Sequence, residues 1–345
     1  MRVHGVRVRG VNYDTGMTVD GWSTRSSFDP AVVARELRVV ADDLHADAVR
    51  VSGDDLDRLA VAARAAADAG LAVWFSPLAY NLGPDALVDL LAAAASRAAA
   101  LPGEVVLVLG CEMSLFCAGF VPGDGLQGRI ATLTDPGTWA SSSRRAELFA
   151  GFARAAETQR TIASRARAVF DGPITYAAGL WEQVEWDLFD IVSVDAYRDA
   201  TNAVGFREVV QAYRRFGKPV AVTEFGCCTY RGAADRGGAG WMIVAPDRSA
   251  LTGAHPRDEA EQVRYLHELS ADFDAAGVDA AFWFTFAGYE LPRRDDPRRD
   301  LDVASYGLVA VLDGERRGAA YPDMAWEPKA SFHALAALYG GARTE

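Results

Sequence analysis

The chain of 345 residues is long enough for one large barrel or two ordinary domains, and its 50% hydrophobic and 24% charged content is typical of a soluble globular protein. Its 35 basic and 47 acidic residues give a formal net charge of −12, which argues against nucleic-acid and anionic-membrane partners and is compatible with a small neutral ligand. No apolar run is long enough to span a bilayer, and residues 1–5 show no secretory signal. We therefore expect a cytoplasmic protein.

The first half of the chain alternates short apolar, β-branched runs with longer, Ala-rich runs. Asp29 followed by Pro30 is a strong helix start, and Gly70 is suited to the position just after a last helical turn. This pattern predicts strands at residues 6–13, 48–51, 72–75 and 104–112, and helices at 29–44, 54–70 and 84–100.

The second half continues this alternation and contains two long segments, 113–140 and 226–255, that we predict to be non-helical because of their Gly, Pro and Thr content. Each follows a strand that carries a glutamate at its end. The remaining pattern predicts strands at 174–178, 191–197, 220–224 and 280–286, helices at 141–170, 201–216, 256–276 and 328–338, and a hairpin around 306–309.

Eight strand–helix units without a break in composition predict a (β/α)8 TIM barrel, formed as a single domain by residues 1–345 with long loops after strands four and seven. A doubly wound open sheet is the alternative. It would require a glycine-rich phosphate loop after the first strand, and the residues there are Val11-Asn12-Tyr13-Asp14. The sequence therefore favours the barrel and gives no sign of a dinucleotide cofactor.

Two glutamates stand at strand ends, Glu112 after strand four and Glu224 after strand seven. In an eight-stranded barrel these strands face each other across the mouth. Glycoside hydrolysis needs a carboxylic acid that protonates the leaving oxygen and a carboxylate on the other side of the anomeric carbon. We predict Glu112 as acid/base and Glu224 as nucleophile. A separation of about 5–5.5 Å would mean retention of configuration and about 6.5–9.5 Å inversion.

Several motifs resemble clan A glycoside hydrolases, a (β/α)8 group with its acid/base after strand four and its nucleophile after strand seven. They are Thr223-Glu224-Phe225-Gly226, Arg50, Tyr197, Trp283, and the closing segments 306–309 and 326–329. The resemblance implies a retaining mechanism. It also implies that Arg50 supports the nucleophile, that Tyr197 donates a hydrogen bond to it, and that Trp283 forms the floor of the sugar-binding subsite.

Two positions depart from the pattern of this group. Members usually carry Asn before the acid/base, where it contacts the sugar 2-hydroxyl, and this chain has Cys111. Many carry His two residues before the strand-six tyrosine, and this chain has Asp195. Both side chains are expected at the substrate, and both changes leave the sugar open. They motivate a second hypothesis, a catalytically altered carbohydrate-binding barrel, for which a role in defence is one option.

Other residues are candidates because of their places at strand ends or in loops on the catalytic face. Glu182 and Glu290 could exchange roles with the predicted pair. Aromatic and polar side chains there could contact sugar, and we select Asn12, Tyr13 and Trp181 among them; the wider group also contains Asp14, Trp22, Tyr80, Trp241 and Tyr289.

The four cysteines Cys111, Cys117, Cys227 and Cys228 lie near the two glutamates in the predicted fold. Their spacing matches no zinc motif, so we expect neither a metal nor a cofactor, although a loop disulfide or a metal-dependent barrel enzyme stays open. The expected partner is a small carbohydrate or glycoside. No nucleic acid and no membrane is expected, and the sequence does not indicate an oligomeric state.

Overall fold

The computed structural model of the chain describes residues 6–341. Residues 1–5, where the sequence shows no secretory signal, lie outside the described residues. Eight parallel strands close into a barrel, and each strand pairs with its neighbours in chain order until the eighth pairs with the first. This confirms the (β/α)8 barrel. Within residues 6–341, no helix combines the length and the apolar character needed to cross a membrane.

The barrel strands match the predicted apolar runs closely, because runs buried on both faces are easy to recognise in a sequence. Small antiparallel pairs join Thr18–Val19 to Trp22–Ser23 and Val309–Val311 to Trp326–Pro328. The barrel strands are β1 (Val8–Gly16), β2 (Ala48–Gly53), β3 (Ala72–Pro77), β4 (Val105–Cys111), β5 (Ile174–Gly179), β6 (Val192–Asp195), β7 (Val220–Phe225) and β8 (Ala280–Trp283).

The helices begin where the sequence supplies caps. The Asp29 carboxylate accepts a hydrogen bond from the Ala31 amide at the start of the first helix. The Asp55 carboxylate accepts from the Asp57 and Arg58 amides, so the second helix begins one residue later than predicted. The helices are α1 (Pro30–Asp42), α2 (Leu56–Asp68), α3 (Pro84–Ala99), α4 (Met113–Phe116), α5 (Gly125–Thr134), α6 (Pro136–Ala140), α7 (Ser142–Arg167), α8 (Phe206–Ala212), α9 (Glu259–Ala276) and α10 (Ala330–Gly341).

The segment after β4 differs from the prediction, because residues 113–140 contain the three short helices α4, α5 and α6. Asp135 caps α6 through the Gly137 amide, and Ser141 caps α7, so polar residues that look like loop composition are helix starts here. The predicted helix 201–216 is shorter and ends in a 3₁₀ turn over Tyr213–Phe216. The segment after β7 contains one 3₁₀ stretch, Ala234–Ile243.

Side chains from alternate positions fill the lower part of the barrel interior. Trp74 of β3 and Phe282 of β8 meet there with ring centroids 4.7 Å apart, among small residues such as Ala177 and Ala221. A Cβ atom on Gly10 would stand 2.2 Å from the Phe282 ring, so only glycine lets β1 pass over it. This packing closes the barrel from below and leaves its carboxyl end open.

Bulges near the carboxyl ends of β4 and β7 change which side chains face inward. Between Val222 and Glu224, strand β7 advances by two residues while β6 advances by one, from Val194 to Asp195. Ala221 packs inside the barrel and Val222 outside it, so plain alternation would turn Glu224 outward. The extra residue instead turns Glu224 toward the mouth.

Candidate active site

A cavity of about 660 Å³ opens at the carboxyl ends of the barrel strands. Such a site is where barrel enzymes carry their chemistry, and its volume suits a small ligand. Its floor contains three carboxyl groups, which we call the acidic floor and define as Glu112, Asp195 and Glu224. The structure therefore brings together the two glutamates that the sequence placed on β4 and β7.

Glu224 is held by the two residues expected to support it. Arg50 Nη1 donates to Glu224 Oε1 at 2.6 Å, and Tyr197 Oη donates to Oε2 at 3.0 Å. One carboxylate oxygen is thus bound by a cation and the other by a phenol. Both contacts fix the position of this carboxyl group, and charge-assisted hydrogen bonds such as the one from Arg50 are stronger than neutral ones.

Arg50 is itself fully buried and positioned by its neighbours inside the barrel. Its Nε donates to Ser76 Oγ at 3.1 Å, and its Nη1 lies 3.3 Å from both Asn12 Oδ1 and the Thr223 carbonyl oxygen. The Asn12 amide donates to that same carbonyl at 2.9 Å. Asn12 is 1% exposed, so it positions Arg50 and does not reach the cavity as the sequence suggested.

Asp195 and Cys111 lie beside this ion pair at the bottom of the cavity. The Cys111 thiol donates to Asp195 Oδ2 at 3.3 Å and lies 3.7 Å from Glu224 Oε1. Burial raises the pKa of the Asp195 carboxyl well above its usual range, and the Glu224 charge adds to this effect. Burial also raises the pKa of the Cys111 thiol, so at neutral pH it is a hydrogen-bond donor and not a thiolate nucleophile.

Glu112 has a different environment from Glu224. Within residues 6–341 no side chain or amide donates a hydrogen bond to its carboxyl group, which lines the cavity. Burial raises the pKa of this carboxyl well above its usual range, and the nearby Asp195 and Glu224 raise it further. A carboxyl group that retains its proton near neutral pH is what a general acid requires.

The backbone at Glu112 is in the left-handed region, with φ 41° and ψ 46°, which is unusual for a residue other than glycine. Its amide donates to the Ala177 carbonyl at 2.9 Å, and the next amide, of Met113, donates to Tyr176 Oη at 2.7 Å. Tyr176 in turn donates to Glu182, 2.9 Å from Oε2. These contacts fix the turn that carries Glu112.

Glu182 and Glu290, the alternative carboxylates, are both occupied by structural contacts. Glu182 accepts hydrogen bonds from the Ser114 amide and hydroxyl, from Tyr176 and from the Gly179 amide. Glu290 lines the cavity but accepts from the Ser26 amide at 3.0 Å and its hydroxyl at 2.6 Å. Neither is as free toward a ligand as Glu112.

Two further predicted sugar contacts, besides Asn12, lie outside the cavity, contrary to our expectation. Tyr13 is fully buried between the barrel and α1, where its hydroxyl donates to Glu36 at 2.5 Å. Trp283 is also fully buried; it packs against Phe225 with centroids 5.3 Å apart and donates to the Tyr306 carbonyl. Both residues occupy outward positions of their strands, because Asn12 and Phe282 beside them point inward.

Other aromatic side chains line the cavity where Tyr13 and Trp283 were expected. Trp181, a predicted contact, is 44% exposed there, and its Nε1 lies 3.3 Å from Ser114 Oγ. Phe284 and Tyr306 also line the cavity and were not selected from the sequence. The available signal for Phe284 was its place just beyond β8, where the chain stops alternating and can turn a side chain inward.

A metal ion fits this floor poorly. Cys111 Sγ and the carboxylate oxygens of Asp195 and Glu224 lie within 4.8 Å of one another, a spacing that a cation could bridge. Arg50 Nη1 already stands 2.6 Å from Glu224 and 3.9 Å from Asp195, and its charge would repel a second cation. A metal would also require Cys111 as a thiolate, which burial disfavours. All four cysteines are free thiols.

Neither a protein-family model nor a curated protein matches the chain. Solved structures do. The structure of a complex of a GH113 β-1,4-mannanase matches with a TM-score of 0.59 at 15% identity, and the match covers 98% of this chain and 99% of the mannanase chain. The GH113 β-mannanase AaManA from Alicyclobacillus acidocaldarius, in complex with ManMIm, has a TM-score of 0.57 at 18% identity, with 97% of each chain covered.

A third match is Bacteroides uniformis β-glucuronidase 2 covalently bound to cyclophellitol-6-carboxylate aziridine, with a TM-score of 0.59 at 15% identity. It covers 96% of this chain but 35% of the glucuronidase, so the likeness is to one part of that larger enzyme. These TM-scores over nearly the whole chain establish a shared fold, and the fold is the one that the resemblance to clan A glycoside hydrolases predicted.

Proposed function

We propose that the protein is a retaining glycoside hydrolase that acts on a small or terminal glycoside, with Glu112 as acid/base and Glu224 as nucleophile. One observation carries this proposal. Two carboxyl groups share a cavity floor, one bound by Arg50 and Tyr197, the other free of protein partners within residues 6–341 and favoured in its protonated form. That asymmetry is what double displacement requires.

In the first step the Glu112 proton moves to the glycosidic oxygen, the bond from that oxygen to the anomeric carbon breaks, and a Glu224 oxygen bonds to the carbon. In the second step Glu112, now a carboxylate, removes a proton from water, whose oxygen displaces Glu224 from the anomeric carbon. Arg50 and Tyr197 hold the Glu224 carboxylate in position for attack and stabilise it when it leaves.

The kind of fold supports the proposal, since the matching structures include two mannanases and a glucuronidase bound covalently to an aziridine. The shape of the cavity favours a small or terminal glycoside. The hairpin after β1, the α4–α5 region and the 3₁₀ stretch after β7 all contribute to its walls, so the pocket is bounded by three segments. The cytoplasmic location and the assignment of residues 1–345 to one domain stay predictions.

A panel of nitrophenyl glycosides tests the activity, and NMR of the first-formed product tests retention of the anomeric configuration. Glu224→Ala should abolish turnover, and azide should restore it by taking the place of the carboxylate and giving a glycosyl azide. Glu290→Ala is the matched control, since it removes another carboxylate of the same cavity; it should retain turnover and yield no azide adduct. Unchanged turnover in Glu224→Ala contradicts the assignment.

The contact between Cys111 and Asp195 favours a second candidate, a carbohydrate-binding barrel without turnover, because these two residues replace the polar groups expected at the sugar and bind each other through Asp195 Oδ2. In that case calorimetry would detect sugar binding that persists in Glu112→Gln and Glu224→Gln, while the native protein hydrolyses nothing in the panel. Hydrolysis by the native protein excludes this candidate.

A further inference from the structure

The wall of the cavity above the acidic floor is largely apolar. Three separate segments contribute to it: the hairpin after β1, the α4–α5 region and the 3₁₀ stretch after β7. Their apolar side chains remain partly exposed to the cavity, which leaves hydrocarbon in contact with water unless a ligand covers it. They include Met17 and Trp22 from the first segment, Leu115 and Ile130 from the second, and Trp241 and Met242 from the third.

Polar side chains of the same wall are engaged by the protein itself. Asp14 accepts from the Gly16 amide at 2.9 Å, and Asp199 accepts from the Thr201 amide at 2.7 Å. Glu290 is held by Ser26, as described above. The Arg248 guanidinium lies 3.8 Å from the centroid of the Trp22 ring, so its flat face covers an indole. Among the described residues, the hydrogen-bonding capacity left for a ligand therefore lies mainly at the floor, together with the guanidinium groups of Arg236 and Arg248, which also line the cavity.

A chain of sugars would not suit such a wall. Each hydroxyl group that loses water on binding needs a new partner, and an unmatched buried hydroxyl group lowers affinity. A single sugar on the floor would find Glu112, Asp195, Glu224 and Tyr197. A second or third sugar further up would meet mainly side chains such as Leu115 and Ile130. An apolar group attached to the first sugar would instead cover this surface.

We infer that the upper cavity is a subsite for an apolar aglycone, so that the substrate is a glycoside of a hydrophobic alcohol or phenol and not an oligosaccharide. This inference rests on the proposed function for its catalytic part, while the binding part stands on the wall alone. The sugar occupies the floor, the glycosidic oxygen lies at Glu112, and the aglycone extends along the three apolar segments.

Binding of n-alkyl β-D-glucopyranosides and β-D-mannopyranosides to Glu224→Gln tests the subsite without turnover. Calorimetry over methyl, butyl, hexyl and octyl chains, below the micelle-forming concentration, should show affinity rising about two- to fourfold per methylene group, as expected for burial of hydrocarbon. Mannotriose and cellotriose should bind no more tightly than the methyl glycosides. Affinity that is independent of chain length, or tightest for a trisaccharide, overturns the inference.

Ile130→Asn replaces an apolar wall residue on α5 and should flatten the dependence on chain length. Val169→Asn is the matched control, because Val169 is 49% exposed just after α7 and does not line the cavity; it should leave the dependence intact. An equal dependence in all three proteins contradicts the assigned wall.

Turnover by the native protein separates this inference from the proposed function. Hydrolysis of nitrophenyl glycosides together with chain-length-independent binding means that the function stands and the aglycone subsite fails. Binding that rises with chain length, together with no hydrolysis by the native protein, means that the subsite stands and the catalytic assignment fails.

Discussion

Two clusters of charged side chains, one at the barrel mouth and one formed by residues that follow β7 and β8, differ in how their charges are compensated. The acidic floor places three carboxyl groups around one guanidinium, that of Arg50. The second cluster, which we call the ion network, places three cations among three carboxylates. Its members are Arg257, Arg293, Lys329, Glu259, Asp300 and Asp302.

The two clusters also differ in their unused hydrogen-bonding capacity. Among the described residues, Asp195 Oδ1 and Arg50 Nη2 at the floor are buried without a hydrogen-bond partner, and no side-chain atom of the ion network is in that state. Lys329, which is fully buried, donates to Asp302 at 3.1 Å, and Arg257 donates to Asp302 and Asp300 at 2.8 Å each. The side-chain atoms of the network have their partners, whereas the floor has more acids than bases and contains buried polar atoms without partners.

The largest expected effect is on catalysis at the floor. Glu112→Gln should lower kcat/KM by about 10²–10⁴-fold for glycosides with poor leaving groups, because these depend on proton donation. The loss should be much smaller for dinitrophenyl glycosides, which leave without a proton. Steady-state kinetics on both substrates measures the difference, and an equal loss on both would show that Glu112 is not the general acid.

The next prediction compares what an ion pair of the network and an ion pair on the surface contribute to stability. Lys329→Met should lower the free energy of unfolding by up to about 3–5 kcal/mol, because it removes one of the two cations paired with the buried Asp302 carboxylate, which then keeps only Arg257. Urea denaturation measures this. Arg160→Met is the control, since Arg160 is 48% exposed and pairs with Glu157 and Glu185 on the surface; its stability should hardly change. A loss in the control as large as in Lys329→Met would remove the distinction between the buried network and a surface pair.

A smaller effect is expected at the hydroxyl group that binds the nucleophile. Tyr197→Phe removes a hydrogen bond to a charged group worth about 1.5–3 kcal/mol, so kcat should fall about 10- to 150-fold. Tyr80→Phe is the comparison, because the Tyr80 hydroxyl also donates to a carboxylate, that of Asp20 at 2.6 Å, away from the floor. If both variants lose kcat equally, the loss does not arise at Glu224.

The smallest effect concerns pH and the buried acid Asp195. Burial raises the pKa of this carboxyl above its unfolded value of about 3.9, so its contribution to stability is full below that pH and is lost as the pH rises through the folded pKa. Thermal unfolding from pH 4 upward should therefore show a shallower loss of stability in Asp195→Asn than in the native protein. Parallel curves would mean that Asp195 is charged in the folded state.

The barrel and the two glutamates were accessible from the sequence for a physical reason. Runs such as 220–224 are apolar because both faces of a parallel strand are buried, and a carboxylate at the end of such a run needs an explanation. Arg50 and Tyr197 were accessible through the resemblance. The structure places both beside Glu224, where the resemblance expected them.

The wrong predictions for Tyr13 and Trp283 concern the side of the sheet to which a side chain points. Tyr13 and Trp283 stand next to inward-facing residues, and a shift of one position reverses the side of the sheet. The β7 bulge, which turns Glu224 inward, has no local mark in the sequence because it depends on how neighbouring strands pair. The helices in residues 113–140 were missed because their Gly, Pro and Thr content and the Asp residues that precede α5 and α6 resemble loop composition.

The left-handed backbone at Glu112 has a consequence for how this sequence can change over time. A side chain with a Cβ atom is strained at a φ of 41°, so glycine would relieve the conformation and asparagine would tolerate it better. Replacement of this glutamate by glycine should therefore stabilise the fold. In a lineage released from selection for its chemistry, position 112 should be among the first of the floor to drift, while the ion network persists.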